Sequence, residues 1–236
     1  MTNDDFLKAV QSSFEKFLDS GTSRSNKKLK PLHGAIALDL SQRLGPGFEV
    51  HSLGFGNDKE RLIPGRYMEK RTDVTICRGN KPVAGVAVKF VMQNYSQNSN
   101  NYFENMMGET ANLRSGAIPY FQVFVIPDKI PYYRRDGRFK KWESLTAHNI
   151  GKYLKMDSDN PTVFFHTPDK LLFYPIHLPD LPDDPATKED YLNRYREWLP
   201  VFGLQRGIVS LPQTPNVLER EWEPFAEKVC YRIKSL

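Results

Sequence analysis

Asp73 and Lys89 are the residues whose type and placement carry chemistry. Asp73 interrupts an otherwise apolar strand-like run, YMEKRTDVTIC, and Lys89 interrupts the next one, PVAGVAVKFVM. A carboxylate and an ammonium are costly in such surroundings unless they are paired or bind a metal. Strand alternation puts Glu69, Arg71 and Asp73 on one face, and Val83, Gly85, Ala87 and Lys89 share a face of the next run. The Arg78-Gly79-Asn80-Lys81 stretch between them predicts a hairpin, which sets Asp73 beside Lys89 at a sheet edge. That pair suits phosphodiester hydrolysis. A carboxylate holds a hard divalent ion that polarises phosphate and acidifies a bound water. The lysine orients that water or neutralises charge on the phosphoryl oxygens.

The elements that must position this pair follow from periodicity. Phe6, Val10, Phe14, Phe17 and Leu18 predict a helix over 4–19, and Leu32, Ile36, Leu40 and Leu44 predict a second one after Pro31. His33, Asp39 and Arg43 lie on that second helix, and nothing in the sequence selects one of them for the site. Strand-like runs follow at 48–55, 67–77 and 82–92, the last of them apolar enough for a central strand. A helix over about 99–114 presents Phe103, Met106, Thr110 and Leu113 to a core, and PYFQVFVIP is a further strand. Past residue 128 the pattern gives a helix at 142–155, one or two short strands at 161–177, and helices at 187–199 and 216–233. The expected architecture is α/β (α+β), a mixed central sheet flanked by helices, in one domain spanning 1–236. Its core covers about 30–127, with the N-terminal helix and residues 128–236 as elaborations.

On these residues the chain resembles the PD-(D/E)xK nucleases, whose core has the order helix, three strands, helix, strand. Thr72-Asp73 stands at that motif's Pro-Asp, and Ala87-Val88-Lys89 at its (D/E)xK. Ala87 removes an acid that normally helps to hold the metal. The stretch FVMQNYSQNSNNYFENMMGE after Lys89 looks like a subgroup of type II restriction endonucleases in which the glutamate has moved into the following helix. The resemblance implies Asp73, Lys89 and a helix glutamate as catalytic residues. Glu104, fifteen residues after Lys89, is favoured for that role, and Glu109 is its competitor. It implies Mg²⁺, or else Mn²⁺, held by Asp73 and Glu104, with Glu69 a further carboxylate. It also implies double-stranded DNA as the partner of a homodimeric endonuclease.

Two segments carry DNA-binding chemistry. YYRRDGRFKKW combines Arg134, Arg135, Arg138, Lys140 and Lys141 with aromatics, suited to phosphates and guanine edges. Gln93, Asn94, Gln97 and Asn98 form an amide-rich loop suited to adenine recognition, or to ordinary helix capping. The SRSNKKLK connector is a weaker basic stretch. A net charge of +5 fits a polyanion partner without requiring one.

Composition narrows the remaining classes. No apolar run is long enough for a membrane helix, and the acidic, amphipathic N-terminus is unlike a secretory signal. Cys77 and Cys230, far apart, argue against a disulfide framework and for a reducing cytoplasm. The five histidines show no zinc-finger or zincin spacing. Two other classes stay open: a catalytically inactive nuclease-fold DNA-binding or assembly module, suggested by Ala87, and an unrelated basic α/β protein that binds RNA or acidic protein.

Overall fold

A computed structural model describes residues 1–21, 26–207, 209 and 216–236. Residues 23–25 of the basic connector lie outside the described residues. Helix α1 (Asn3–Ser20) is capped by Thr2 in a reciprocal box with Asp5 and stops at Gly21. A 3-10 turn (Asn26–Leu29) leads into α2 (Lys30–Leu44), with Pro31 in its first turn. Then come β1 (Glu49–Ser52), β2 (Arg61–Pro64), β3 (Glu69–Thr72), β4 (Val74–Arg78), β5 (Lys81–Phe90), α3 (Tyr95–Arg114) and β6 (Tyr120–Pro127). The later elements are β7 (Lys129–Tyr133), β8 (Phe139–Ser144), α4 (Ala147–Asp157), β9 (Lys170–His177), α5 (Lys188–Phe202), β10 (Gln205–Arg206), β11 (Leu218–Glu219) and α6 (Trp222–Lys234).

The fold is α/β, with a mixed central sheet ordered β1-β4-β5-β6-β9-β10 and β11 also on β9. β1, β4 and β5 pair antiparallel, whereas β5, β6 and β9 run parallel. Antiparallel neighbours need only a tight turn, supplied here between Arg78 and Lys81 with Gly79 at φ 57°. The parallel step from β5 to β6 needs a crossover, and α3 is that crossover.

The pleat sorts side chains into two layers. Val86, Val88 and Phe90 join Val74, Ile76, Phe121, Val123 and Val125 in the larger core, which α1, α2, α5 and α6 cover. The opposite face carries Lys89, Gln122 and Phe124 towards α3. Among the described residues, no helix is long and apolar enough to cross a membrane, and Cys77 and Cys230 are buried free thiols.

Three segments depart from the sequence reading. The 67–77 run is two strands. It breaks at Asp73, and β3 pairs with β2 in a separate ribbon while β4 stays in the main sheet. The expected helix at 142–155 starts only at Ala147, because Thr146 caps it against Asn149; the residues before it form β8, paired with β7. The helix expected from 216 begins at Trp222. Leu218 and Glu219 instead extend the sheet, with the Val217 and Leu218 N–H groups donating to Asp157 Oδ1 at 2.7 and 2.9 Å.

Candidate functional site

A cleft of about 370 Å³ opens where β3, β4, β5 and β6 meet α3. Its lining includes Asp73, Lys89, Glu109, Glu60, Lys70, Arg71, Tyr102, Asn105, Tyr120 and Gln122. Asp73 sits at the break between β3 and β4. Ser52 Oγ donates to its backbone carbonyl at 2.6 Å, and the Val88 N–H donates to its Oδ2 at 2.7 Å. Sheet hydrogen bonding therefore aims this carboxylate rather than chance side-chain rotation. Its Oδ1 lies 4.0 Å from Nε2 of His33 on α2.

Several groups in the cleft are held against their solvation preference. Burial pushes the Asp73 carboxyl up to about 6, opposed by the Val88 N–H and reinforced by the Glu109 charge. Burial lowers the Lys89 ammonium, and Asp73 and Glu109 counter that. Lys89 Nζ stands 4.1 Å from the centre of the Tyr102 ring, a contact that stabilises a cation in a partly dry site. Burial also raises Glu60, helped by the nearby Asp73 charge, and lowers His33 to about 4.

Helix geometry sets the two helix glutamates on different faces of α3. Tyr102, Asn105, Met106 and Glu109 line the cleft at i, i+3, i+4 and i+7. Glu104 lies about 150° around the helix from that row. It is exposed and acts electrostatically on Lys152 of α4, so of the two helix glutamates it is Glu109, not the favoured Glu104, that lines the cleft with Asp73 and Lys89. Glu109 pairs with Lys70 and accepts from Tyr120 Oη at 3.4 Å.

Glu69 is exposed at the start of β3, opposite Pro64, and does not reach the cleft. The break at Asp73 ends the alternation that would have aligned the two acids.

The DNA-contact candidates lie elsewhere. Arg134, Arg135, Arg138, Lys140 and Lys141 are exposed on the β7–β8 hairpin, outside the cleft. Arg138 pairs with Asp136 of the turn, and Lys140 and Lys141 stand 5.3 and 5.8 Å from the Tyr132 ring centre. The amide loop grips this hairpin. Asn94 donates its N–H to the Pro131 carbonyl and accepts from the Tyr133 N–H, and Gln97 donates to Tyr132 Oη at 2.6 Å. Asn98 donates to the Asn94 carbonyl at 3.3 Å, and Gln93 Oε1 is buried without a partner among the described residues. The two segments thus form one feature beside the end of β5.

Sequence reasoning passed over Glu60 and Gln122, and named His33 beside Asp39 and Arg43 without selecting it. Gln122 had a usable signal, an amide inside an apolar strand, and it donates to Thr110 Oγ1 at 3.4 Å. Glu60 had none, since it ends an irregular loop. One donor atom each from His33, Glu60 and Asp73 lies within 4.8 Å of the others, a grouping that fits a metal ion. No family model, no curated protein and no solved structure matches the chain.

Proposed function

We propose that the protein is a divalent-metal-dependent DNA endonuclease with a restriction-endonuclease-like core, acting as a type II restriction enzyme. The observation that carries this reading is the meeting of Asp73, Lys89 and Glu109 in one cleft, from a strand break, its hairpin partner and the following helix. The donor set fits a cation. The Glu109 charge helps to raise Asp73, the Asp73 charge helps to raise Glu60, and Glu60 Oε1 is buried with no hydrogen-bond partner among the described residues. Asp73, flanked by Glu60 and Glu109, would hold Mg²⁺ or Mn²⁺. When bound, such an ion polarises a phosphate oxygen and lowers the pKa of a water.

The chain's own groups do the rest. The Val88 N–H fixes the Asp73 carboxylate, so it needs no reorganisation when substrate arrives. Lys89, braced on Tyr102, directs its ammonium at the phosphoryl oxygens or the attacking water. Lys70 holds Glu109, and Arg71 adds positive charge to the cleft wall. The exposed cations of the β7–β8 hairpin supply sequence-independent phosphate attraction, and the amide loop supplies base-edge contacts. A homodimer with twofold symmetry would cut both strands of a palindromic site.

The test is incubation of purified protein with plasmid DNA and Mg²⁺, alongside Asp73→Ala and Lys89→Ala. Cleavage by the native chain is expected, with each variant lower by ~10²–10³-fold. Cleavage that survives both substitutions overturns the assignment. Ala87 in place of an acid favours one second reading, a DNA-binding module without catalysis. DNA binding with no cleavage in either Mg²⁺ or Mn²⁺ selects it.

A further inference from the structure

The acidic side of the cleft and the layer behind it hold polar atoms with no hydrogen-bond partner among the described residues. His33 is fully buried, and neither ring nitrogen has a hydrogen-bond partner among the described residues. Glu60 Oε1 is in the same position. Asp73 spends Oδ2 on the Val88 N–H, which leaves Oδ1 facing His33 Nε2 at 4.0 Å. Native proteins rarely leave such atoms unsatisfied, because each costs ~1–3 kcal/mol.

A bridging water could satisfy these atoms but would not neutralise two adjacent carboxylates. A divalent ion does both. Ligand bonds of ~2.1 Å put neighbouring donor atoms ~3 Å apart. The three donor atoms, all within 4.8 Å of one another, would draw together by up to ~2 Å to reach that spacing.

The backbone holds the imidazole where it is. A Cβ on Gly34 would overlap the Gly54 carbonyl oxygen, and a Cβ on Gly54 would overlap that of Lys30. Two glycines thus let α2 press directly against the loop that leads to Glu60.

We propose that His33 Nε2, a Glu60 oxygen and Asp73 Oδ1 form a mixed nitrogen–oxygen cation site that prefers Mn²⁺ to Mg²⁺. Mg²⁺ favours all-oxygen shells and sheds water reluctantly, whereas Mn²⁺ and later first-row ions accept imidazole. The inference deepens the nuclease reading and rests on its placing the cation at Asp73. It adds the ligand on α2 and the kind of ion.

The experiment uses the full chain without DNA, titrated with Mn²⁺ and followed by calorimetry and pulsed electron paramagnetic resonance. The native protein is expected to show nitrogen-14 modulation from bound Mn²⁺, and to bind Mn²⁺ at least ~10-fold more tightly than Mg²⁺. His33→Leu is expected to abolish the modulation and weaken Mn²⁺ by ~10–100-fold, with a smaller effect on Mg²⁺. Bound Mn²⁺ with no nitrogen coupling in the native protein overturns the proposal.

Glu60→Gln and Asp73→Asn provide a second route if His33→Leu fails to fold. Each should weaken Mn²⁺ by ~10-fold or more. Unchanged affinity and modulation in either one overturns the proposal. Plasmid cleavage is scored separately: nitrogen-coupled Mn²⁺ without cleavage keeps this site and removes the nuclease reading.

Discussion

Two aspartates of this protein, Asp39 buried between helices and Asp73 half-buried in the cleft, have opposite surroundings. Asp39 on α2 is 3% exposed. It accepts from Trp222 Nε1 and Arg43 Nε, each at 2.8 Å, and pairs with the Met1 ammonium. Asp73 receives one hydrogen bond from a backbone N–H, and otherwise faces two other carboxylates, the charges of Lys70 and Lys89, and an imidazole with no hydrogen-bond partner among the described residues. Saturation of a buried carboxylate with donors marks a joint that holds helices together. Undersaturation marks a place kept ready for a ligand, because the fold forgoes stability to maintain it. A single helix serves both: α2 presents His33 to Asp73 and, less than two turns later, Asp39 to the joint with α6.

The largest effect should come from emptying the saturated site. Asp39→Ala leaves Arg43 and the indole N–H without their acceptor, and should cost ~3–5 kcal/mol of unfolding free energy in urea titration. Asp73→Ala should cost far less, or stabilise. Equal losses at the two positions would break the comparison.

Next in size is Gly34→Ala. The new methyl meets backbone on the opposing loop, which cannot rotate away, so a loss of ~1–3 kcal/mol is expected by the same measurement. Because the substitution lifts α2 from the loop carrying Glu60, Mn²⁺ affinity should fall with it. A stability loss with unchanged Mn²⁺ affinity would separate the helix seat from the site.

The third contrast is in pH dependence, measured in chelator. The Asp73 carboxyl is raised from 3.8 to about 6 in the folded state. Between those values the folded chain holds a proton that the unfolded chain has released, so stability falls as pH rises through the window. Asp73→Asn keeps an oxygen for the Val88 N–H and removes the charge. The variant should be more stable than the native chain by ~1–2 kcal/mol at pH 8, with the gain gone near pH 4. The Asp73 side chain is 28% exposed, which holds this figure below full burial. His33, lowered to about 4, acts in the opposite direction: its neutral folded form adds stability as pH rises through the same region. The native profile should therefore be flatter than that of Asp73→Asn, and a steeper native profile would contradict the assignment.

What the sequence made legible in this comparison was the strand chemistry. The β4–β5 hairpin, the placement of Lys89, the helix after it and the apolar β6 all follow from period-2 and period-3.6 patterns, which are local. The partner of Asp39 was illegible, because Trp222 is 183 positions away and no local pattern links them. Glu60 was hidden for the same reason, on a loop without periodicity. The break at Asp73 was hidden because β3 and β4 read as one alternating run. Only the pairing of β3 with β2 shows that the chain leaves the main sheet there. The β7–β8 ribbon was missed because β8 is rich in charge and the short β7 has Pro131 at its centre, which leaves little apolar alternation to announce them.

The smallest expected effect tests the finest distinction, between the two glutamates of α3. Glu104→Gln changes an exposed residue beside Lys152, and surface changes of this kind stay within about 0.5 kcal/mol. Cleavage should therefore stay within ~2-fold of native. Glu109→Gln removes a charge that acts on Asp73 and Lys89 and that pairs with Lys70, so the loss should be at least ~10-fold. The amide also keeps an acceptor for Tyr120 Oη, so thermal unfolding should move little and the loss can be assigned to charge. If Glu104→Gln proves the more damaging, α3 must rotate by about a third of a turn or more when DNA binds, and the face that lines the cleft in the free protein is not the working face.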